Sequence, residues 1–170
     1  MKIEIGSGRK PHKGYETIDV EQYANPTHLG DFRTMRFENV EEIRAHHVLE
    51  HFGREEGEWV LKLWHAWLMA GGILIVETPD FEGICDNFRK DKYWMTRHAY
   101  GSQEADWAFH KDGWYEDKFK EVLPRLGYEI ISIKKSVSRK ILPNITVVAK
   151  KLLLTSDVLP QLSIAMLLPV

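Results

Sequence analysis

The sequence predicts an α/β fold with a largely parallel sheet. Short apolar runs alternate with helical stretches along the chain, the order expected of strand–helix–strand units. One run, Ile73-Leu74-Ile75-Val76, is apolar throughout, as suits a strand buried on both faces. The 170 residues, 44% hydrophobic and 28% charged, are the length of one domain with enough apolar material for a core of its own. Twelve Gly and seven Pro exclude collagen and low-complexity disorder.

The first strand, Lys2-Ile3-Glu4-Ile5, ends abruptly in Gly6-Ser7-Gly8, and a second is expected over Tyr15 to Val20. Only nine residues, Gly8 to Glu16, are left for the link, whereas a parallel crossover normally takes about a dozen or more. Either a helix has shrunk to a turn there or the strand ends lie elsewhere. Val40 to Ala45 reads as a strand diluted by Glu41, Glu42 and Arg44. Val60, Leu61, Leu63, Trp64, Trp67 and Leu68 recur at helical spacing, so a helix is expected from Arg54 to Met69, stopped by Gly71-Gly72. From Phe81 to Trp114 periodicity is lost and the composition turns aromatic, charged and His-containing, the mark of a lid or substrate-recognition insert. A helix over Tyr115 to Leu126, its last turn disturbed by Pro124, precedes two strands, Tyr128 to Ile133 and Ile145 to Ala149, expected to pair antiparallel. Residues 1–150 thus read as one domain. The tail 151–170 is apolar but carries Pro160, Pro169 and Asp157, which argue against a membrane span; packing on the sheet or a homodimer contact is the expectation.

A net charge of −2 gives no protein-wide positive field, so a nucleic-acid partner is not expected. Lys134, Lys135, Arg139 and Lys140 read as a solvated face. The single Cys85 forms no internal disulfide, and no signal peptide precedes Lys2, which together suggest the cytoplasm.

Two glycines at the carboxyl end of the first strand let the backbone approach a ligand closely, and Asp19 ends the second strand where a carboxylate can accept both hydroxyls of a ribose. Each has a plain reading as well: a structural turn, and a turn residue.

Ile3-Glu4-Ile5-Gly6-Ser7-Gly8, Gly14-Tyr15 to Ile18-Asp19, Asp31-Phe32, His47-Val48-Leu49-Glu50-His51-Phe52 and Met69 to Asp80 follow one another in an order that resembles class I S-adenosylmethionine-dependent methyltransferases, in particular small bacterial members. The family's third glycine is missing, and Ala70 stands where proline is usual. The resemblance implies a Rossmann-like methyltransferase fold: about seven strands, mostly parallel with one antiparallel, and helices on both faces. It implies S-adenosylmethionine as cofactor. Gly6, Ser7 and Gly8 would line its methionine and ribose, Asp19 would hold the ribose hydroxyls, and Val20 would pack on the adenine. Asp31 would accept from the adenine amino group, Phe32 would lie near the ring, and His46 and His47 would face the methyl end. A helix cap or turn is the competing reading of Asp31.

His47-Val48-Leu49-Glu50-His51 also fits H-x-x-E-H, a zinc-peptidase signature. That chemistry needs a helix through the motif, and here the motif follows a strand. Some methyltransferases, small-RNA 2′-O-methyltransferases among them, carry a similar carboxylate and histidine set around a divalent ion. Glu50, His51 and His110 match its residue types, with His47 in place of a glutamate. Local capping or pairing of Glu50 and His51 at a helix start is the favoured reading, so no bound metal is expected. His47, His51 and His110 are the candidate catalytic bases, since an imidazole suits proton removal from an oxygen nucleophile near neutral pH. The expected reaction is methyl transfer to a hydroxyl of a small-molecule or sugar acceptor. The alternative is a non-catalytic S-adenosylmethionine-binding module or partner subunit. Tyr93, Trp94, Tyr100, Trp107, Phe109 and Trp114 form either a substrate wall or, for half or more of them, the core of a small subdomain.

Overall fold

The computed structural model describes residues 1–139 and 141–153. Seven strands form one sheet: β1 (Lys2–Ile5), β2 (Glu16–Asp19), β3 (His28–Leu29), β4 (Val40–His46), β5 (Leu68–Pro79), β6 (Tyr128–Ser138) and β7 (Leu142–Lys151). Their order across it is β3-β2-β1-β4-β5-β7-β6. β1 to β5 are parallel to one another, and β7 runs antiparallel to both neighbours, the one strand against the rest. The helices are α1 (Arg54–Trp67), α2 (Phe81–Asn87), α3 (Lys92–Tyr100) and α4 (Glu116–Arg125).

The sheet's two faces are handled differently. Alternate residues of a strand point to opposite sides, and Ile3, Ile5, Ile43, Leu74, Val76, Ile145 and Val147 all fall on one side. There they join Val60, Leu61, Trp64 and Trp67 of α1 and Phe119, Val122 and Leu123 of α4 in one core. The buried Tyr128 closes it, its hydroxyl donating to the Leu61 carbonyl at 2.9 Å. On the other side of β1, β4 and β5 stand Glu4, Glu42, Arg44, His46 and Glu77.

That polar face explains the short first link. Residues 6–15 cross without a helix. The buried Glu4 carboxylate holds them, accepting from the His12 backbone N–H at 2.7 Å and meeting its Nδ1 at 2.7 Å. Tyr15 donates to Glu42, and the Arg44 guanidinium lies 5.9 Å from its ring centre. Ion pairs and a ring thus cover what a crossover helix would have covered. Of the two expectations for this link, the helix shrunk to a turn is the one observed.

Several elements differ from the sequence reading. α1 ends at Trp67, and Leu68 is already extended. Gly71-Gly72 belong to β5, at the point where its register against β4 slips between Val40 and Glu42. A Cβ on Gly72 would stand 2.9 Å from the carbonyl oxygens of Met69 and Val40, so this close backbone approach, not a helix stop, demands glycine. The stretch 81–114 forms α2, α3 and a 3-10 turn at Asp106–Ala108. β6 runs on to Ser138, but as an edge strand whose outer half is exposed it shows no alternation.

Trp114 is fully buried, while Tyr93, Trp94, Tyr100, Trp107 and Phe109 are each at least 40% exposed. The subdomain-core expectation therefore fails: five of the six aromatics are wall or surface. Among the described residues no helix is long and apolar enough to cross a membrane. Lys140 and most of the apolar tail, with its expected dimer contact, lie outside the described residues.

Candidate active site

The carboxyl ends of β1, β2 and β4 open into a cavity of about 290 Å³. In open α/β sheets this crevice is where ligands bind. Gly6 leaves β1 with φ +67 and donates its N–H to the Ile18 carbonyl at 2.8 Å. A Cβ there would stand 2.5 Å from Val48 Cγ2, so both the conformation and the space call for glycine. Asp19 ends β2, its Oδ2 accepting from the Gly8 N–H at 2.8 Å and its Oδ1 from the Glu21 N–H at 2.9 Å. Each oxygen keeps acceptor capacity beyond that bond.

Gly6, Gly8, Asp19, Val20, Asp31 and Phe32 all line this cavity, together with His47 and His51. Asp31 is also engaged locally. It caps the turn at Phe32–Thr34 through the Arg33 N–H and takes the Arg33 guanidinium on both oxygens. Those bonds with Arg33 hold its carboxyl below the usual range against the opposing cost of partial burial. Ser7 is buried with its Oγ unpartnered and does not line the cavity. His46 does not line it either. Strand alternation sends it to the polar face, where its Nε2 meets Arg44 at 2.9 Å and its ring lies 5.6 Å from His12.

The H-x-x-E-H segment is not helical beyond a 3-10 turn at Leu49–His51, so the premise of the peptidase reading is absent. His47 takes φ +53 as β4 ends and turns back onto Glu50, its Nδ1 3.0 Å from the buried Oε1. Its Nε2 lies 3.7 Å from Glu77. Burial opposes charge on His47, but the bond to Glu50 and the charges of Glu50 and Glu77 outweigh it and raise its pKa above the ordinary value. The Glu50 carboxyl is lowered: burial opposes its charge, and the bond to His47 prevails.

His110 arrives from 60 residues downstream and is placed by backbone bonds. Its own N–H donates to the Tyr100 carbonyl at 3.1 Å, and the Lys111 N–H donates to the Glu50 carbonyl at 2.8 Å. These bring His110 Nε2 to 3.9 Å from Glu50 and its ring to 4.9 Å from that of His51. Burial lowers the pKa of His110. The three candidate bases thus surround one buried carboxylate. His110 also lines a second cavity of about 520 Å³ with Arg54, Phe81, Tyr100, Tyr115 and Lys118, and Lys111 borders both cavities.

The sequence reading missed Glu77, Lys111, His98 and Glu21. Glu77 was accessible from strand pairing, because it stands opposite His46 in the β4–β5 register. Glu21 accepts from the Trp107 indole at 2.7 Å, a contact that ties residues 106–108 to the first cavity and leaves no local sequence signal.

No protein-family model matches the chain, and no curated protein matches it in sequence. Solved structures do match. An S-adenosylmethionine-dependent methyltransferase from Methanosarcina mazei is similar with a TM-score of 0.66 and 16% identity, over 89% of this chain and 92% of that one. Magnesium protoporphyrin IX methyltransferase from Synechocystis, with bound S-adenosylhomocysteine, is similar with a TM-score of 0.63 and 12% identity, over 89% and 74%. A Haloferax volcanii protein in complex with the Trm112 methyltransferase activator gives 0.63 and 11%, over 89% and 82%. At these identities the likeness establishes the fold, which is the Rossmann-like fold of these methyltransferases.

Proposed function

We propose that this chain moves a methyl group from S-adenosylmethionine to a hydroxyl of a small-molecule or sugar acceptor. The observation that carries the reading is the first cavity: a glycine turn at β1, a carboxylate at the end of β2 with lone pairs to spare, and an imidazole held on a buried glutamate, all on one crevice. The cradle fits such a cofactor because Gly6 and Gly8 put side-chain-free backbone on the cavity wall and Asp19 is already oriented by two N–H donors.

When bound, the cofactor supplies a methyl group activated by a sulfonium charge. Gly6 and Gly8 would line its methionine and ribose, Asp19 would hold the ribose hydroxyls, and Val20 and Phe32 would flank the base. His47 receives the acceptor's proton at Nε2. Its Nδ1–H is fixed on Glu50, which selects that tautomer and stabilises the imidazolium that forms. Positioning of two reactants supplies most of the acceleration in such a transfer. The exposed Cys85, the chain's only cysteine, supports a reducing cytoplasmic setting.

Calorimetric titration of S-adenosylmethionine and S-adenosylhomocysteine tests the reading. Micromolar binding, about −8 kcal/mol, is expected for the wild type. Asp19→Ala removes hydrogen bonds to a charged acceptor, about 1.5–3 kcal/mol, so binding weakens roughly 10- to 150-fold. No binding by the wild type overturns the proposal.

One feature favours a second reading, a cofactor-binding subunit that works beside a partner chain. A protein of similar fold, from Haloferax volcanii, is in complex with the Trm112 methyltransferase activator. The mark of this second reading would be tight S-adenosylhomocysteine binding without turnover on any hydroxyl acceptor, unchanged by His47→Ala.

A further inference from the structure

The histidine and glutamate cluster is arranged for more than proton removal. Glu50, His51 and His110 each offer one ligating atom, and these lie within 4.8 Å of one another. His51 Nδ1 faces the Phe109 carbonyl at 3.1 Å, and His110 Nδ1 faces the His98 carbonyl at 3.0 Å. A carbonyl oxygen only accepts, so each Nδ1 carries the ring proton and each Nε2 is left with a bare lone pair. Backbone carbonyls on the far ring nitrogen are how metal-ligating histidines are oriented. His98 is itself fixed, its Nε2 on the Pro143 carbonyl at 2.8 Å.

Glu50 supplies the independent observation. It is 2% exposed; Oε1 is engaged by His47, while Oε2 is buried with no hydrogen-bond partner. An unmet buried carboxylate oxygen is costly, and two unshared imidazole lone pairs beside it offer no donor. A cation satisfies all three at once.

We propose that Glu50, His51 and His110 bind one divalent transition-metal ion. Two imidazoles and a carboxylate suit the borderline ions zinc, cobalt(II) or iron(II) better than magnesium, which prefers oxygen ligands. Three protein ligands leave coordination positions open. His51 lines the first cavity and His110 the second, so the ion stands where the two meet. The consequence for catalysis rests on the methyl-transfer reading. An acceptor hydroxyl bound to the ion loses its proton to His47 Nε2 more readily; its oxygen then forms the new bond to carbon as the carbon–sulfur bond breaks.

Metal binding is measured on untagged protein, stripped with chelator, without any methyl donor. Zinc, cobalt(II), manganese(II) and magnesium chlorides are titrated calorimetrically, with cobalt also followed by its visible absorption. One zinc or cobalt ion per chain is expected, with magnesium far weaker. Loss of a residue that only orients a metal ligand weakens binding about 10- to 100-fold, so loss of the ligand itself in His51→Ala or His110→Ala should exceed that. His28→Ala, distant from the cluster, should leave it unchanged. Both ligand variants are at partly exposed positions, and circular dichroism checks that they fold. No stoichiometric binding of any transition ion overturns the proposal, as does binding that survives the His51→Ala/His110→Ala double variant. S-adenosylhomocysteine titrated into the same samples tests the cofactor site separately, so either reading can fail while the other stands.

Discussion

The two cavities are made by different means. The first is built from strand ends and the short turns after them, with Gly6, Asp19 and Gly30 pinned by bonds between neighbouring strands; the Gly30 N–H, for instance, donates to the Asp19 carbonyl at 2.8 Å. The second is walled by side chains of α1, α4 and the residues between, held by ion pairs such as Lys118–Asp112 and Arg125–Glu58. Backbone hydrogen bonds fix one shape, which suits a ligand that never changes. Side chains on helices and loops can be exchanged without disturbing the sheet.

Trp114 offers the largest break in that contrast. It is 1% exposed, its ring 4.9 Å from Phe119, with the Lys118 amine 4.1 Å above it. Its carbonyl accepts from the Phe81 N–H, so it joins α4 to the start of α2. Trp114→Ala is expected to cost about 3–5 kcal/mol, read as a lower urea midpoint, while S-adenosylhomocysteine affinity at the first cavity falls only a few-fold. Equal loss of both would mean that the two cavities form one cooperative unit. Gly6→Ala is the converse. Backbone strain at positive φ, with the clash on Val48, costs about 1–3 kcal/mol. Here the smaller fall in urea midpoint should accompany loss of S-adenosylhomocysteine binding. Retained binding in Gly6→Ala would remove the glycine turn from the cofactor site.

The first cavity was also the more legible of the two in sequence, for the same reason. Gly6, Asp19 and His47 stand at strand ends, and strand ends follow from local apolar patterns. α1 and α4 announced themselves through buried stripes of Trp64, Trp67, Phe119 and Val122. α3 buries only Met95 and α2 only Ile84, so neither leaves a periodic signal. β3 has two residues, too few for any pattern. His46 was misplaced because adjacent residues of a strand were both aimed at the ligand; the alternation that pairs it with Arg44 sends it to the other face. His110 was found by its residue type, but its position depends on the Glu50 carbonyl and on Tyr100, contacts that no local pattern encodes.

His47 lines the first cavity beside the Glu50 carboxylate, and its titration gives the smallest and most specific test. As a base it must be neutral, so kcat/KM should rise with pH through its raised pKa and then level off. Glu77 contributes to that rise from 3.7 Å away. Glu77→Gln removes the charge, and its amide oxygen still accepts from the Thr146 hydroxyl, which donates to Glu77 at 2.8 Å. The acid limb of the profile should therefore move to lower pH, the plateau should change little, and added salt should shrink the difference. Stability carries the same sign. A histidine whose pKa is raised on folding adds stability that is fully present below its unfolded value, about 6.5, and is lost as pH rises through the folded value. The wild type should thus exceed Glu77→Gln in urea midpoint by more at about pH 6 than at about pH 8.5. The same limb in both proteins would show that Glu77 does not act on the base. A limb that His47→Ala leaves in place would take proton removal away from His47.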